Sequence, residues 1–299
     1  MSIIDLSLPC PVARAFTGQI RKIVDQKTDI IVRNIEREEP TTLPHAEGDP
    51  PDLIATHWLS ILQNRELLAS SGHYALNQPG LPAMRPELAE KGFADPSGCF
   101  IPLCLIPIVM IYNRRLEDPP AGWEELLDER WHGRIGAPFI AAFRQLMFAY
   151  GSEMFDSETA ARLVDNTVFE GMPLEINMWV DSGKLDIGIV GLPFSRASRS
   201  GNVALCWPQE GAFCLPEVLL VKKAADEDAL AVVRHLLSVE AQRYIADIGV
   251  LIPTHPDVRP PREAEENKLS IFWNGWDWFS NALMQQRSCK RTPILPLRT

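Results

Sequence analysis

The chain has 299 residues, 46% apolar and 23% charged, the composition of a globular protein long enough for two domains of ordinary size. With 29 Lys and Arg against 39 Asp and Glu, it carries a net charge of −10 and no long basic run. That disfavours a nucleic-acid partner, whose phosphates must be neutralised, but leaves room for a local basic pocket that binds an anion.

No apolar run is long enough to span a bilayer, so no transmembrane segment is expected. Asp5 interrupts the only candidate for a signal-peptide core, and the first basic residue, Arg14, comes after it. Ser7-Leu8-Pro9-Cys10 has the outline of a lipoprotein box, but Pro9 and the missing apolar region argue against one. As written, the sequence predicts a cytoplasmic chain; a start upstream of Met1 would make it periplasmic or extracytoplasmic. The six cysteines, Cys10, Cys99, Cys104, Cys206, Cys214 and Cys289, form no CxxC pair, so neither a zinc ribbon nor a thioredoxin-type motif is signalled.

In chain order, Ile3 to Leu8 reads as a short strand, followed by a helix from Val12 to Gln26 with Val12, Phe16, Ile20, Ile23 and Val24 on one face. Pro11 suits its first turn. Asp29 to Ile35 is a second strand, and the polar, Pro-rich Glu36 to Asp49 a surface loop. A brief strand then ends at Thr56, the expected N-cap of a helix through Ala69. This alternation of strand and helix predicts a parallel sheet, in which ligands meet the carboxyl ends of strands and the N-termini of helices. Two loops are singled out on that ground, Leu8 to Val12 and Ala55 to Trp58.

Phe100 to Asn113 is a long apolar strand interrupted by Pro102 and Pro107, and Val203 to Val221 has the same character around a WPQEG break. Two such segments predict two crossings between lobes: lobe 1 from residues 1–105 and 213–299, lobe 2 from 106–212. Within lobe 2 we expect helices over Trp123 to Trp131, Ala141 to Tyr150 and Ser157 to Phe169, and a turn and strand from Gly183 to Val190. Ala225 to Ile248 reads as one strong helix with Gly249 as its C-cap. Phe272, Trp276, Phe279 and Leu283 form a buried helical face, and the tail Arg287 to Thr299 a surface extension.

The segment PPAGWEELLDERWHGRIGAP, residues 119–138, carries a Pro, then Trp-x-x-Leu-Leu, then Trp-x-Gly-x-Ile. It resembles a segment of the extracytoplasmic solute-binding proteins, the capture subunits of ABC transporters. PPDLIATHW, IVMIYNRRLEDPP, VDSGKLDIGIV and the run from WPQEG to VLIP resemble further segments of the same family, in the same order and spacing across Pro51 to Pro253. The nearest subgroup is that of the iron, thiamine and spermidine binders. The resemblance implies an α/β fold of type II: two periplasmic-binding-protein-like lobes, mixed sheets flanked by helices, and two hinge strands that close on a ligand. Two departures stand out, the missing export signal and the isolation of Tyr74, Tyr112, Tyr150 and Tyr244, since iron binders often use adjacent tyrosines.

Candidate ligand contacts follow from position and chemistry. Cys10 lies at a helix N-terminus, which can hold an anion or lower a thiol's pKa; a small packed loop residue is the plainer reading. Thr56, His57 and Trp58 occupy the second loop, where His57 could donate to an anion or ligate a metal and Trp58 stack on a ring; a cap and two packed rings are the alternative. Arg144 could clamp an anion from lobe 2, or be a solvated helix residue. Asn177 and Trp179 alternate with Ile176, Met178 and Val180, as on one face of an extended segment beside the ligand. Glu210 could meet a cationic group or be an exposed turn residue. Cys104 and Cys214, near the two crossings, could join Cys10 as a soft-metal site, though buried filler is the plainer reading.

The expected function is therefore solute capture without bond chemistry, by a monomer that binds a small molecule or anion, with an ABC permease as a possible partner, no nucleic acid and no cofactor. An anion with an apolar or aromatic part suits the candidates better than a bare metal ion. The alternatives are an enzyme on the same scaffold using Cys10, thiaminase-like or pyrimidine-synthase-like, a Cys-based metal binder, and a regulatory effector domain, for which no helix-turn-helix is attached.

Overall fold

The computed structural model describes residues 2–33, 50–74 and 80–285. The predicted loop Glu36 to Asp49, the tail from Arg287 and Cys289 lie outside these residues. The elements are, in order, β1 (Ile3–Leu6), α1 (Cys10–Ile23), β2 (Asp29–Val32), β3 (Leu53–Thr56), α2 (Leu59–Leu62), α3 (Arg65–Ser70), α4 (Pro86–Glu90) and β4 (Ile101–Asn113). After two 3-10 turns come β5 (Ile135–Ala137), α5 (Ala141–Met154), α6 (Ser157–Asn166), β6 (Thr167–Phe169), α7 (Pro173–Ser182), β7 (Ile187–Gly191), β8 (Val203–Cys206) and β9 (Ala212–Val221). The chain closes with α8 (Glu227–Leu236), α9 (Val239–Asp247), β10 (Ile252–Pro253), α10 (Arg262–Glu266), β11 (Ile271–Phe272) and α11 (Trp276–Gln285).

These elements divide between two compact units. Unit 1 is Met1–Ile106, Leu215–Pro261 and Asn274–Ser280; unit 2 is Pro107–Cys214, Arg262–Trp273 and Asn281–Thr299. Residues 262–273, expected in the first lobe, group with unit 2. There β11 pairs with β9 at Ile271↔Ala212, and Arg196 holds Glu263 through Nε at 2.8 Å and Nη2 at 2.6 Å.

In unit 1, β1 runs parallel to both β2 and β3, and β3 pairs antiparallel with β9 from Leu53↔Val221 to Thr56↔Val218. Alternate residues of these strands, Ile4, Leu6 and Leu8 with Leu53 and Ala55 and with Leu219 and Val221, join one core. Val12, Phe16 and Ile20 of α1 pack into it at helical spacing, with Val232, Val233 and Leu236 of α8. Ile23, expected on the same face, is at the fraying end and stays exposed.

The single helix expected from Ala225 to Ile248 is two, because Ser238 caps a new start at α9 by accepting the Ala241 N–H. Gly249 is not the left-handed residue there; Val250 is, at φ 53°. Gly249 is instead needed for close approach, since a Cβ would stand 2.5 Å from the Ile245 carbonyl and 2.8 Å from Val12 Cγ1. At the core's edge, buried Gln242 donates to the carbonyls of Leu103 and Leu236 and accepts the N–H of Thr254.

In unit 2, β6, β5 and β7 are parallel neighbours, and β7 and β8 each pair antiparallel with β4. Pro107 falls between Leu105, which pairs with β10, and Ile108, which pairs with β7, so a missing N–H is tolerated and the strand runs unbroken. Trp123 to Trp131 forms two 3-10 turns rather than a helix, because Asp128 is extended and its side chain accepts the Arg130 N–H. The helix expected to Phe169 stops at Asn166, and Thr167–Phe169 is a buried strand. Trp123, Phe213 and Tyr150 are stacked with centroids 4.1 and 4.5 Å apart, and Trp123 Nε1 donates to the Gly211 carbonyl at 2.9 Å.

Candidate functional site

In unit 1 the chemistry gathers where β1 and β3 end. The two strands stay in register there, Leu6 opposite Ala55, and the Ser7 N–H donates to the Ala55 carbonyl at 2.8 Å. Three residues, Ser7, Leu8 and Pro9, then lead from β1 to the start of α1 at Cys10. Pro9 is its N-cap; it offers no side-chain cap, no acidic residue stands in the first turn, and Arg21 and Lys22 stand in the last. The positive end of a 14-residue helix is thus left without a negative group of its own, the arrangement that receives anions. Cys10 is exposed at this end.

At the end of β3, Thr56 Oγ1 accepts the Trp58 N–H at 3.0 Å. This turn delays the next helix to Leu59, and α2 and α3 replace the single helix expected from Thr56. Thr56, His57 and Trp58 are all buried, so Trp58 is a packed ring and not an open stacking surface. His57 Nδ1 lies 2.5 Å from Glu217 Oε2. The β3–β9 ladder dictates this pairing: one step past Thr56↔Val218, His57 meets Glu217. Burial raises the Glu217 carboxyl above its ordinary range, and His57 pulls it partly back. Sequence reasoning missed Glu217; the signal was a lone acid inside the apolar run LPEVLL.

In unit 2, the carboxyl ends of β5 and β6 lead into Pro138–Ile140 and Glu170–Met172, joined by Phe139 N–H donating to the Gly171 carbonyl at 2.8 Å. Phe139 is 62% exposed. Arg144, in the first turns of α5, is half-buried with its guanidinium 5.5 Å from the centroid of the Phe169 ring.

Asn177 and Trp179 are on a helix, α7, and not on an extended segment. The alternation in the sequence was a misread 3.6-residue period, since Ile176, Asn177 and Val180 form the buried side. Asn177 Nδ2 donates to the Phe194 carbonyl at 2.8 Å, and Trp179 carries Lys184 Nζ 4.3 Å from its ring centroid. Glu210 is committed to the backbone, accepting the N–H groups of Trp123 and Glu124 at 3.0 and 3.1 Å. The structure thus places Cys10, Thr56, His57 and Trp58 at adjacent strand ends of unit 1, leaves Arg144 at its own strand ends in unit 2, and bonds Glu210 and the Asn177 Nδ2 to backbone, while Asn177 Oδ1 is buried without a partner among the described residues.

No group of three His, Cys, Asp or Glu side chains able to hold a metal occurs among the described residues. Cys104 is fully buried, which pushes its thiol well above the usual range and away from the thiolate a metal needs. No described helix is long and apolar enough to cross a membrane.

A family model described as bacterial extracellular solute-binding protein matches residues 49–282. A Salmonella typhi protein named for 2-aminoethylphosphonate binding in the periplasm is 24% identical over 211 residues, 64% of this chain. The match spans 63% of that relative's length. Among solved structures, apo ferric ion-binding protein A of Pasteurella haemolytica superposes with a TM-score of 0.74 at 13% identity, covering 96% of each chain. The binding protein AfuA of Actinobacillus pleuropneumoniae, solved with fructose-6-phosphate, gives 0.69 at 16% identity over 95% of this chain and 97% of that one. These likenesses establish the periplasmic-binding-protein fold.

Proposed function

Since the chain belongs to the bacterial extracellular solute-binding proteins, we propose that it captures a small organic anion reversibly, as a monomer that hands its solute to an ABC permease. The observation that carries this reading is the N-terminus of α1 at the end of β1, where no acidic side chain stands in the first turn and the helix dipole favours negative charge. Arg144 is the corresponding cation of unit 2, and exposed Phe139 at the end of β5 supplies apolar surface. The relative's named compound and the neighbour's bound one both bear a phosphorus oxyanion, which points to phosphonates and phosphate esters as the first solutes to try. Binding, and not bond chemistry, is what this family does.

Calorimetric titration of the purified chain with 2-aminoethylphosphonate, fructose-6-phosphate, inorganic phosphate and ferric citrate tests the proposal. We expect an organophosphorus anion to bind and Arg144→Ala to weaken it tenfold or more, the loss of one charge-assisted contact of about 1.5–3 kcal/mol. Binding of ferric citrate alone, or of none of the anions, would overturn the reading.

A further inference from the structure

Glu217 is completely buried in a strand of apolar residues, and its partner His57 is 4% exposed. Besides the 2.5 Å contact between His57 Nδ1 and Glu217 Oε2, neither His57 Nε2 nor Glu217 Oε1 has a hydrogen-bond partner among the described residues. A neutral imidazole beside an ionised carboxylate would leave one net negative charge in this interior with a single hydrogen bond to hold it, an arrangement that burial penalises heavily. One added proton removes that charge. It can rest as a Glu217 O–H donating to Nδ1, or as an imidazolium Nδ1–H donating to the carboxylate; both forms are neutral overall.

Among the described residues no other counter-charge acts on the Glu217 carboxyl. The groups that act on the Glu217 carboxyl are His57 and, from β4, the Cys104 thiol, itself buried and protonated. On the β1 side the neighbouring position is Leu8, part of the apolar core. Among the described residues no Lys or Arg forms an ion pair with Glu217.

We propose that His57 and Glu217 hold one shared proton at neutral pH, and that this proton locks the Thr56–Trp58 loop onto β9. The lock joins two segments 160 residues apart in sequence at a loop the sequence marks as facing a ligand. It does not depend on which solute the chain binds.

The sign follows from the raised Glu217 carboxyl: its contribution to stability is present at low pH and lost as pH rises. The unfolded chain gives up the pair's last proton near the ordinary imidazole value of about 6.5. Above that pH the folded form holds one proton more than the unfolded one. Its folding constant then falls about tenfold per pH unit until the pair ionises.

The test is urea unfolding of the ligand-free protein from pH 6 to 9, wild type against Glu217→Gln, whose amide keeps the shape without the titrating proton. We expect the wild type to lose stability relative to the variant along that slope; parallel profiles would overturn the proposal. A nitrogen-15 spectrum of histidine-labelled wild type needs no variant. The His57 Nδ1 should report a hydrogen bond shared with the Glu217 carboxyl at pH 7, either accepting from its O–H or donating to its carboxylate. A neutral imidazole whose Nδ1 neither accepts nor donates such a bond at pH 7 would overturn the proposal equally.

Discussion

Replacing Gln242 by Met keeps the length of the side chain and removes its polar atoms. The amide now satisfies four groups: the Leu103 and Leu236 carbonyls, each 3.0 Å from Nε2, and the Thr254 and His255 N–H groups, 2.8 and 3.3 Å from Oε1. Leu103 keeps a second donor in Thr254 Oγ1 at 3.1 Å, and His255 is only partly buried. That leaves the Leu236 carbonyl and the Thr254 N–H as the groups stranded in the interior, at about 1–3 kcal/mol each. The thioether regains part of this through apolar contact. We expect a loss of about 3 kcal/mol, close to two hundredfold in the folding constant, read by urea denaturation followed through tryptophan fluorescence. A Thr254→Val change should add less in the Gln242→Met background than in the wild type, since both act on one network. If Gln242→Met costs under about 1 kcal/mol, the amide is not what holds α9 to β4 and β10.

In unit 2, Trp123→Ala removes one ring of the Trp123–Phe213–Tyr150 stack and the Nε1 bond to Gly211; a fully buried Trp replaced by Ala should cost about 3–5 kcal/mol, seen as a lowered thermal midpoint. Asp181 accepts from the Ser198 and Ser200 hydroxyls and from the N–H groups of Arg199, Ser200 and Asn202. These bonds hold its carboxyl far below the usual range, so its contribution is present above that range and fades as pH falls through the lowered value. Asp181→Asn should speed amide exchange at Arg199, Ser200 and Asn202 at neutral pH, and unchanged exchange there would show that the loop is held otherwise.

The sequence made the family legible because its signals are local. Trp123 and the Gly-Arg-Ile strand entry sit within fifteen residues, and each has a packing reason that a short window carries. The N-terminus of α1 was readable for the same cause, since Pro and an apolar period of four fix a helix start wherever the chain later goes. Glu217 was not readable. Its meaning depends on His57, 160 residues away, and on a β3–β9 register that nothing near either residue encodes. Glu210 and the Asn177 amide nitrogen bond backbone groups of their own unit, a demand that composition cannot distinguish from ligand binding. The α7 alternation failed because four or five residues fit a period of 2 and of 3.6 almost equally well.

The antiparallel pairing of β3 with β9 also sets a timetable for synthesis. A ribosome adding about 5–20 residues per second needs roughly 8–32 seconds to pass from Thr56 to its partner Val218. Throughout that interval the apolar edge of β3 has emerged with no strand to cover it, an invitation to wrong pairing. Most of unit 2 is translated within the same wait and can condense first. Unit 1 must hold its early strands open until β9, α8 and α9 arrive. The nascent chain is therefore most exposed to aggregation, and most in need of a chaperone, between its first and last thirds.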